Sequence, residues 1–66
     1  MNLEYGLTEA ARKLDNAIQT IRSAQATIDT NIGQGAHQWN MCSTAVSTLE
    51  ECKTILRNVQ NGLRHG

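Results

Sequence analysis

Leu7, Leu14, Ile21 and Ile28 recur every seven residues, and Ala10, Ala17 and Ala24 each follow three positions after one of the first three. Apolar residues at this spacing share one face of an α-helix and predict an a/d stripe, the seam of a coiled coil. Beyond Gly33 and Gly35 the pattern resumes, with Cys42, Leu49, Leu56 and Leu63 in one set of positions and Ala45, Cys52 and Val59 in the other. Two helices are therefore expected, over about residues 7–32 and 37–63, joined by a turn at about 33–36.

Local signals agree with that division. Thr8 or Asn2 can cap the first helix, and Gly33 or Gly35 supplies the left-handed residue that commonly ends one. Glu9 precedes Arg12 and Lys13 in the order that favours ion pairs on a helix surface. A short turn between long helices makes them antiparallel neighbours, so an all-α helical hairpin is expected.

Folding the chain back at "GQGAH" sets Ile28 against Ala45, Ala24 against Leu49, Ile21 against Cys52, Ala17 against Leu56, Leu14 against Val59, and Ala10 against Leu63. A large side chain meets a small one in nearly every layer, which predicts a coiled-coil-like, Ala-rich seam. Ile18, Ile32, Met41, Val46 and Ile55 then fall on the flanks with Ala11. With 66 residues the chain is near the lower limit for a self-sufficient core. The flank is thus expected to meet something: another copy, giving a homodimeric four-helix bundle or higher oligomer, or a different protein.

Composition narrows the partner. Six basic and six acidic residues cancel, so no net charge draws the chain to nucleic acid or an anionic membrane surface. No run reaches the roughly 20 apolar residues of a membrane span, and "MNLEYGLTEA" lacks a signal peptide's basic flank and apolar core. The initial methionine reads as the start of a complete small open reading frame, and two cysteines are too few for a secreted disulfide framework. A cytoplasmic protein is expected.

Charge is also unevenly placed. From Thr30 through Leu49 there is no Lys, Arg, Asp or Glu, so the hairpin tip is neutral and carries Trp39 and Met41. Depletion of charge with Trp and Met enrichment is the signature of an interface centre. Trp39 is read first as a plug over the open end of the hairpin, shielding Ile28 and Ile32, and second as a contact residue.

Chemical motifs are lacking. Cys42 and Cys52 resemble one copy of the twin C-x9-C spacing of disulfide-linked hairpins, but the partner helix has no cysteine. Within one helix their sulfurs stand about 15 Å apart, beyond disulfide reach. No CxxC or HxxxH pair joins His37 or His65 to them, so no metal site is expected. Glu50 and Glu51 are adjacent and point apart, "GQG" lacks the context of a phosphate loop, and no cofactor is implied. The outline is similar to that of several groups of small helical hairpins, including bacterial secretion co-chaperones, plasmid copy-control dimers, secretion-needle subunits and phage-encoded inhibitors, without a diagnostic motif of any. The expected function is a non-enzymatic contact module, an adaptor, chaperone or inhibitor of bacterial or phage origin, binding itself and another protein through Trp39, Met41, Ile32, Ile18, Val46 and Ile55. The alternatives are a self-assembling structural subunit and an oligomeric sponge for a small ligand or nucleotide.

Overall fold

The computed structural model describes residues 2–65, and of His65 the backbone alone. Two α-helices, α1 (Leu3–Gln25) and α2 (Gly35–His65), pack against each other as a hairpin measuring 52 × 16 × 12 Å. Its radius of gyration is 15.5 Å, against about 11 Å for a compact domain of this length.

Helix α1 starts earlier than expected because Asn2 is its cap. The Asn2 side-chain oxygen accepts the backbone N–H of Glu4 at 2.9 Å and of Tyr5 at 3.4 Å, satisfying two donors that lack a partner within the helix. Thr8, the other candidate, lies inside the helix and donates its hydroxyl to the Glu4 carbonyl. Asn2→Ala is expected to cost about 1 kcal/mol, seen as a lower denaturation midpoint together with faster hydrogen exchange at the Glu4 and Tyr5 amides.

The same helix ends at Gln25, not at residue 32. The Thr27 hydroxyl donates to the Ala24 carbonyl at 2.7 Å, while the Thr27 and Ile28 amides bond the carbonyls of Ala24 and Gln25 three residues back. Asp29 then accepts the Asn31 amide at 2.9 Å. These local bonds compete with helix continuation over residues 26–31, before any glycine is reached. Gly33, at φ 54°, turns the connection, and a Cβ here would be strained. Gly35 is buried against the backbone of Asp29 and opens α2.

The register differs from the expected one as well. Arg64 bonds Glu4, Gln60 bonds Thr8, Lys53 pairs with Asp15, and Gln25 bonds Ser43. Each step along α1 is matched by an equal step back along α2, so one antiparallel register runs the length of the hairpin. In the expected register Gln25 would face Thr48; its Nε2 reaches Ser43 at 2.8 Å and the Trp39 carbonyl at 2.9 Å instead.

The seam is accordingly a different stripe. Leu7, Leu14, Ile21 and Ile28 keep their place, but they alternate with Ala11, Ile18 and Gln25, four residues on, and not with Ala10, Ala17 and Ala24. On α2, Leu49 and Leu56 alternate with Val46, Lys53 and Gln60 and not with Ala45, Cys52 and Val59. Ile18 and Val46, each 6% exposed, are the buried hydrophobic side chains among the described residues. Packing this edge inward removes Ile18 and Val46 from water, where the expected edge offers four alanines with Cys52 and Val59. Each buried CH₂ stabilises by about 0.8 kcal/mol, so the larger side chains decide the rotation of both helices.

Candidate contact surface

The two helices form a layer with unlike sides. Helical periodicity places Thr8, Asp15 and Arg22 beside the α1 seam on the same side of the layer as Ser43, Glu50 and Arg64 of α2. All cross-helix side-chain bonds among the described residues use this side or the seam. Arg22 meets Glu50 at 3.1 Å, Arg64 meets Glu4 at 3.0 Å, and Lys53 meets Asp15. Gln60 donates to the Thr8 hydroxyl at 2.9 Å. A shallow open groove lined by Arg22, Gln25, Ser43, Val46, Ser47 and Glu50 lies on the same side. These pairs are largely exposed, so each adds little stability; together they pin the register.

Among the described residues, the opposite side bonds nothing across the helices. On α1 it carries Gly6, Ala10, Lys13, Ala17, Thr20 and Ala24; on α2 it carries Met41, Ala45, Thr48, Cys52, Ile55 and Val59. Both runs have the alternating four- and three-residue spacing of a coiled-coil seam. Lys13 is the single charge in either run. Met41 is 59% and Ile55 60% exposed, and Val59 and Leu63 are exposed beside them. At the α1 border Arg12 bonds Glu9 at 2.7 Å, and this bond holds the Glu9 carboxyl below its usual range.

Of the residues singled out from sequence, Ile18 and Val46 are core and unavailable to a partner: each helix turns its β-branched edge toward the other. Met41 and Ile55 lie on the apolar side, about 21 Å apart along α2. Ile32 stands apart in the connection at 68% exposed. Trp39 extends the seam line beyond the end of α1 and is 42% exposed, so it does not close the tip as a buried plug, and Ile32 is not shielded by it. Its carbonyl, bonded by Gln25, ties this turn of α2 to α1.

Comparison with family models, curated proteins and solved structures gives no significant match to this chain.

Ala10, Ala17, Ala24, Ala45, Cys52 and Val59, expected as the second half of the seam, lie on the apolar side instead. Their periodicity was read correctly and assigned to the wrong pair of surfaces. Cys42 is half-buried and Cys52 exposed, both as free thiols. Among the described residues no three His, Cys, Asp or Glu side chains gather as a metal site, and the His65 side chain lies outside those described. No helix among them is long and apolar enough to cross a membrane.

Proposed function

We propose that this protein works by protein contact, without catalysis, and that the apolar side of the hairpin is its working surface. The observation that carries the reading is the division of labour between the two sides. One side spends its polar groups on holding the helices together, while the other presents a charge-poor, heptad-spaced surface that its own chain leaves uncovered. A contiguous patch of that kind on a small chain marks an interaction site.

Surface area supports the same reading. The chain exposes 5036 Å², whereas a folded protein of 7.3 kDa exposes about 4,200 Å². The excess, about 840 Å², is close to the roughly 800 Å² that each partner contributes to a standard protein interface. Association into a four-helix bundle would bury Ala10, Ala17 and Ala24 together with Met41, Ile55 and Val59. An adaptor, chaperone or inhibitor acting inside a cell would use this surface. Growth into an open array is less well supported, because it requires a second, complementary apolar patch elsewhere, and the other side is charged.

Cys52 reports on the surface directly. Its alkylation, followed in a Cys42→Ser variant, is expected to be at least about tenfold slower in extract of the host cell than in dilute purified protein, a difference equivalent to about 1.4 kcal/mol of protection. Equal rates in the two, both matching the unfolded chain, would remove the surface from consideration.

A further inference from the structure

We infer that the hairpin has a second, paired form, in which the connection straightens, each chain becomes one continuous helix, and α1 of each copy packs antiparallel in the seam of the other copy's α2. The surface used is the seam itself, so the inference is independent of the apolar side. It follows from the heptad frame. In α1 the seam columns are Leu7, Leu14, Ile21 and Ala11, Ile18, Gln25; in α2 they are Leu49, Leu56 and Val46, Lys53, Gln60. Leu49 lies 42 residues after Leu7, and Val46 lies 28 after Ile18, both whole multiples of seven. Both columns therefore keep one frame through the connection.

A hairpin asks nothing of this kind, because a connection one residue longer or shorter can still close on the same seam. A continuous helix requires it, since each extra residue turns the α2 seam by about 100° away from the α1 seam. The frame is also filled within and just after the connection: Ile28 continues the column of Leu7, Leu14 and Ile21, while Ile32 and Trp39 carry the other from Gln25 to Val46. In the closed form α1 stops at Gln25, and Ile32 is left 68% and Trp39 42% exposed. No proline interrupts the chain, and residues 3–65 as one helix would measure about 95 Å.

Two open chains paired in the hairpin register remake its cross-helix bonds between copies: Glu4 with Arg64, Thr8 with Gln60, Asp15 with Lys53, Arg22 with Glu50, and Gln25 with Ser43. The two-fold axis of that pair passes close to Gln34. Ile28 comes within one residue of the level of Trp39 of the second copy, and Ile32 within one residue of Gly35. Isoleucine opposite glycine fills a layer, and the helix running on past Gln25 covers the tryptophan that the closed form leaves open. Residues beside the axis face the same stretch of the second copy, so a charge there would meet its like. From Thr30 through Gln38 there is none, which gives the neutral tip a physical reason. The closed form is held by Gly33 at φ 54° and by the bonds of Thr27 and Asp29, in a stretch where glycine disfavours helix. Exchanging an identical element keeps the contacts, so concentration decides between the two forms.

The two forms differ in the distance between α1 and α2 of one chain. Asn16 and Asn58, both exposed, are replaced by azidophenylalanine and coupled to nitroxides. The doubly labelled chain is mixed into a large excess of unlabelled chain under reducing conditions, so that pulsed dipolar spectroscopy reads distances within one chain. Closed, the labels stand within about 30 Å of each other; open, 42 residues of helix set them about 63 Å apart. The short distance is expected in dilute solution, with the long one appearing at up to millimolar concentration in step with dimer mass by light scattering. Gly33→Ala strains the closed turn and favours helix, and is expected to tighten dimerisation at least about 100-fold, equivalent to about 2.8 kcal/mol. One glycine inserted after Gly33 is expected to leave the hairpin folded and to remove the long distance. A dimer with only the short distance would overturn the inference in favour of paired closed hairpins. So would a wild-type chain that is monomeric at millimolar concentration, a Gly33→Ala chain that pairs no better or loses its helical signal, or a long distance that survives the insertion.

Discussion

Gly35→Ala is expected to destabilise the hairpin by about 3 kcal/mol, at the upper end of what overpacking a well-packed site costs. A Cβ built at this position lies 1.9 Å from the carbonyl oxygen of Asp29 and 2.8 Å from its carbonyl carbon. Both are backbone atoms, so no side chain can swing aside; the connection itself has to move. It is held on either side by the Asn31 amide on Asp29 and by the Gly35 amide on the Ile32 carbonyl at 3.0 Å. Moving it breaks those bonds and displaces the first turn of α2, where the Trp39 carbonyl meets Gln25. Stability for a chain of this length is about 3–10 kcal/mol at 0.05–0.15 kcal/mol per residue, so the loss is a large fraction of the total. Urea titration followed by far-ultraviolet circular dichroism measures it. Gly62→Ala is the matching control: beyond its own stretch of helix, no atom of the described residues lies within 4 Å of the added methyl, and alanine in a helix is favoured over glycine by up to about 1 kcal/mol. A Gly35→Ala midpoint equal to wild type would mean that Asp29 and Gly35 do not approach as described.

Ile18→Ala is the second large effect, expected at about 3 kcal/mol. The side chain is 6% exposed and sits midway along the only interface between the helices, with Val46 as the other buried residue. A cavity there cannot be filled from a second layer of core within the same chain, because none exists. The variant should lose most of its helical signal near physiological temperature, and its urea midpoint should fall far below that of Ile32→Ala. Ile32 is 68% exposed, and truncating it should stay within about 0.5 kcal/mol of wild type. The comparison separates the two readings of the heptads: were Ile18 a flank residue, both variants would behave like Ile32→Ala.

That contrast shows where the sequence was legible and where it was not. The hairpin itself, its antiparallel sense and the columns Leu7, Leu14, Ile21, Leu49 and Leu56 follow from a seven-residue period. The rotation of each helix does not, because those columns have apolar neighbours on both edges. One edge holds Ala10, Ala17, Ala24, Ala45, Cys52 and Val59; the other holds Ala11, Ile18 and Val46 interrupted by Gln25, Lys53 and Gln60. A period cannot rank two edges of one stripe. Side-chain volume can, but the three polar residues on the winning edge mask it until their bonds to Ser43, Asp15 and Thr8 are known.

The end of α1 was hidden for a related reason. Two glycines are strong breakers, and they drew the helix boundary to themselves. The earlier stop is made by Thr27, Asp29 and Asn31, whose side chains and amides bond over two or three residues and need no glycine. Moving the boundary back to Gln25 lengthens the connection to residues 26–34 and changes which residues face each other throughout the hairpin. On the apolar side, Met41 and Ile55 were legible from sequence as residues outside the seam, and both are exposed. Their neighbours Ala45 and Cys52 were not, having been assigned to the interior.

Lys53 gives the hairpin something the leucines cannot. It stands in the seam with its side chain 24% exposed, alternating with Leu49 and Leu56, and pairs with Asp15. Sliding α2 along α1 by one heptad in one direction would carry its ammonium to the level of Arg22, a like charge; sliding it the other way would bring it to Thr8 and leave Asp15 unanswered. The Leu7, Leu14, Ile21 column of α1 and the Leu49, Leu56 column of α2 repeat at the same seven-residue interval, so by themselves they do little to forbid such a slide. A charged side chain in an otherwise apolar column thus acts as the key of a ruler, surrendering some burial so that only one alignment of two repetitive surfaces is read as correct.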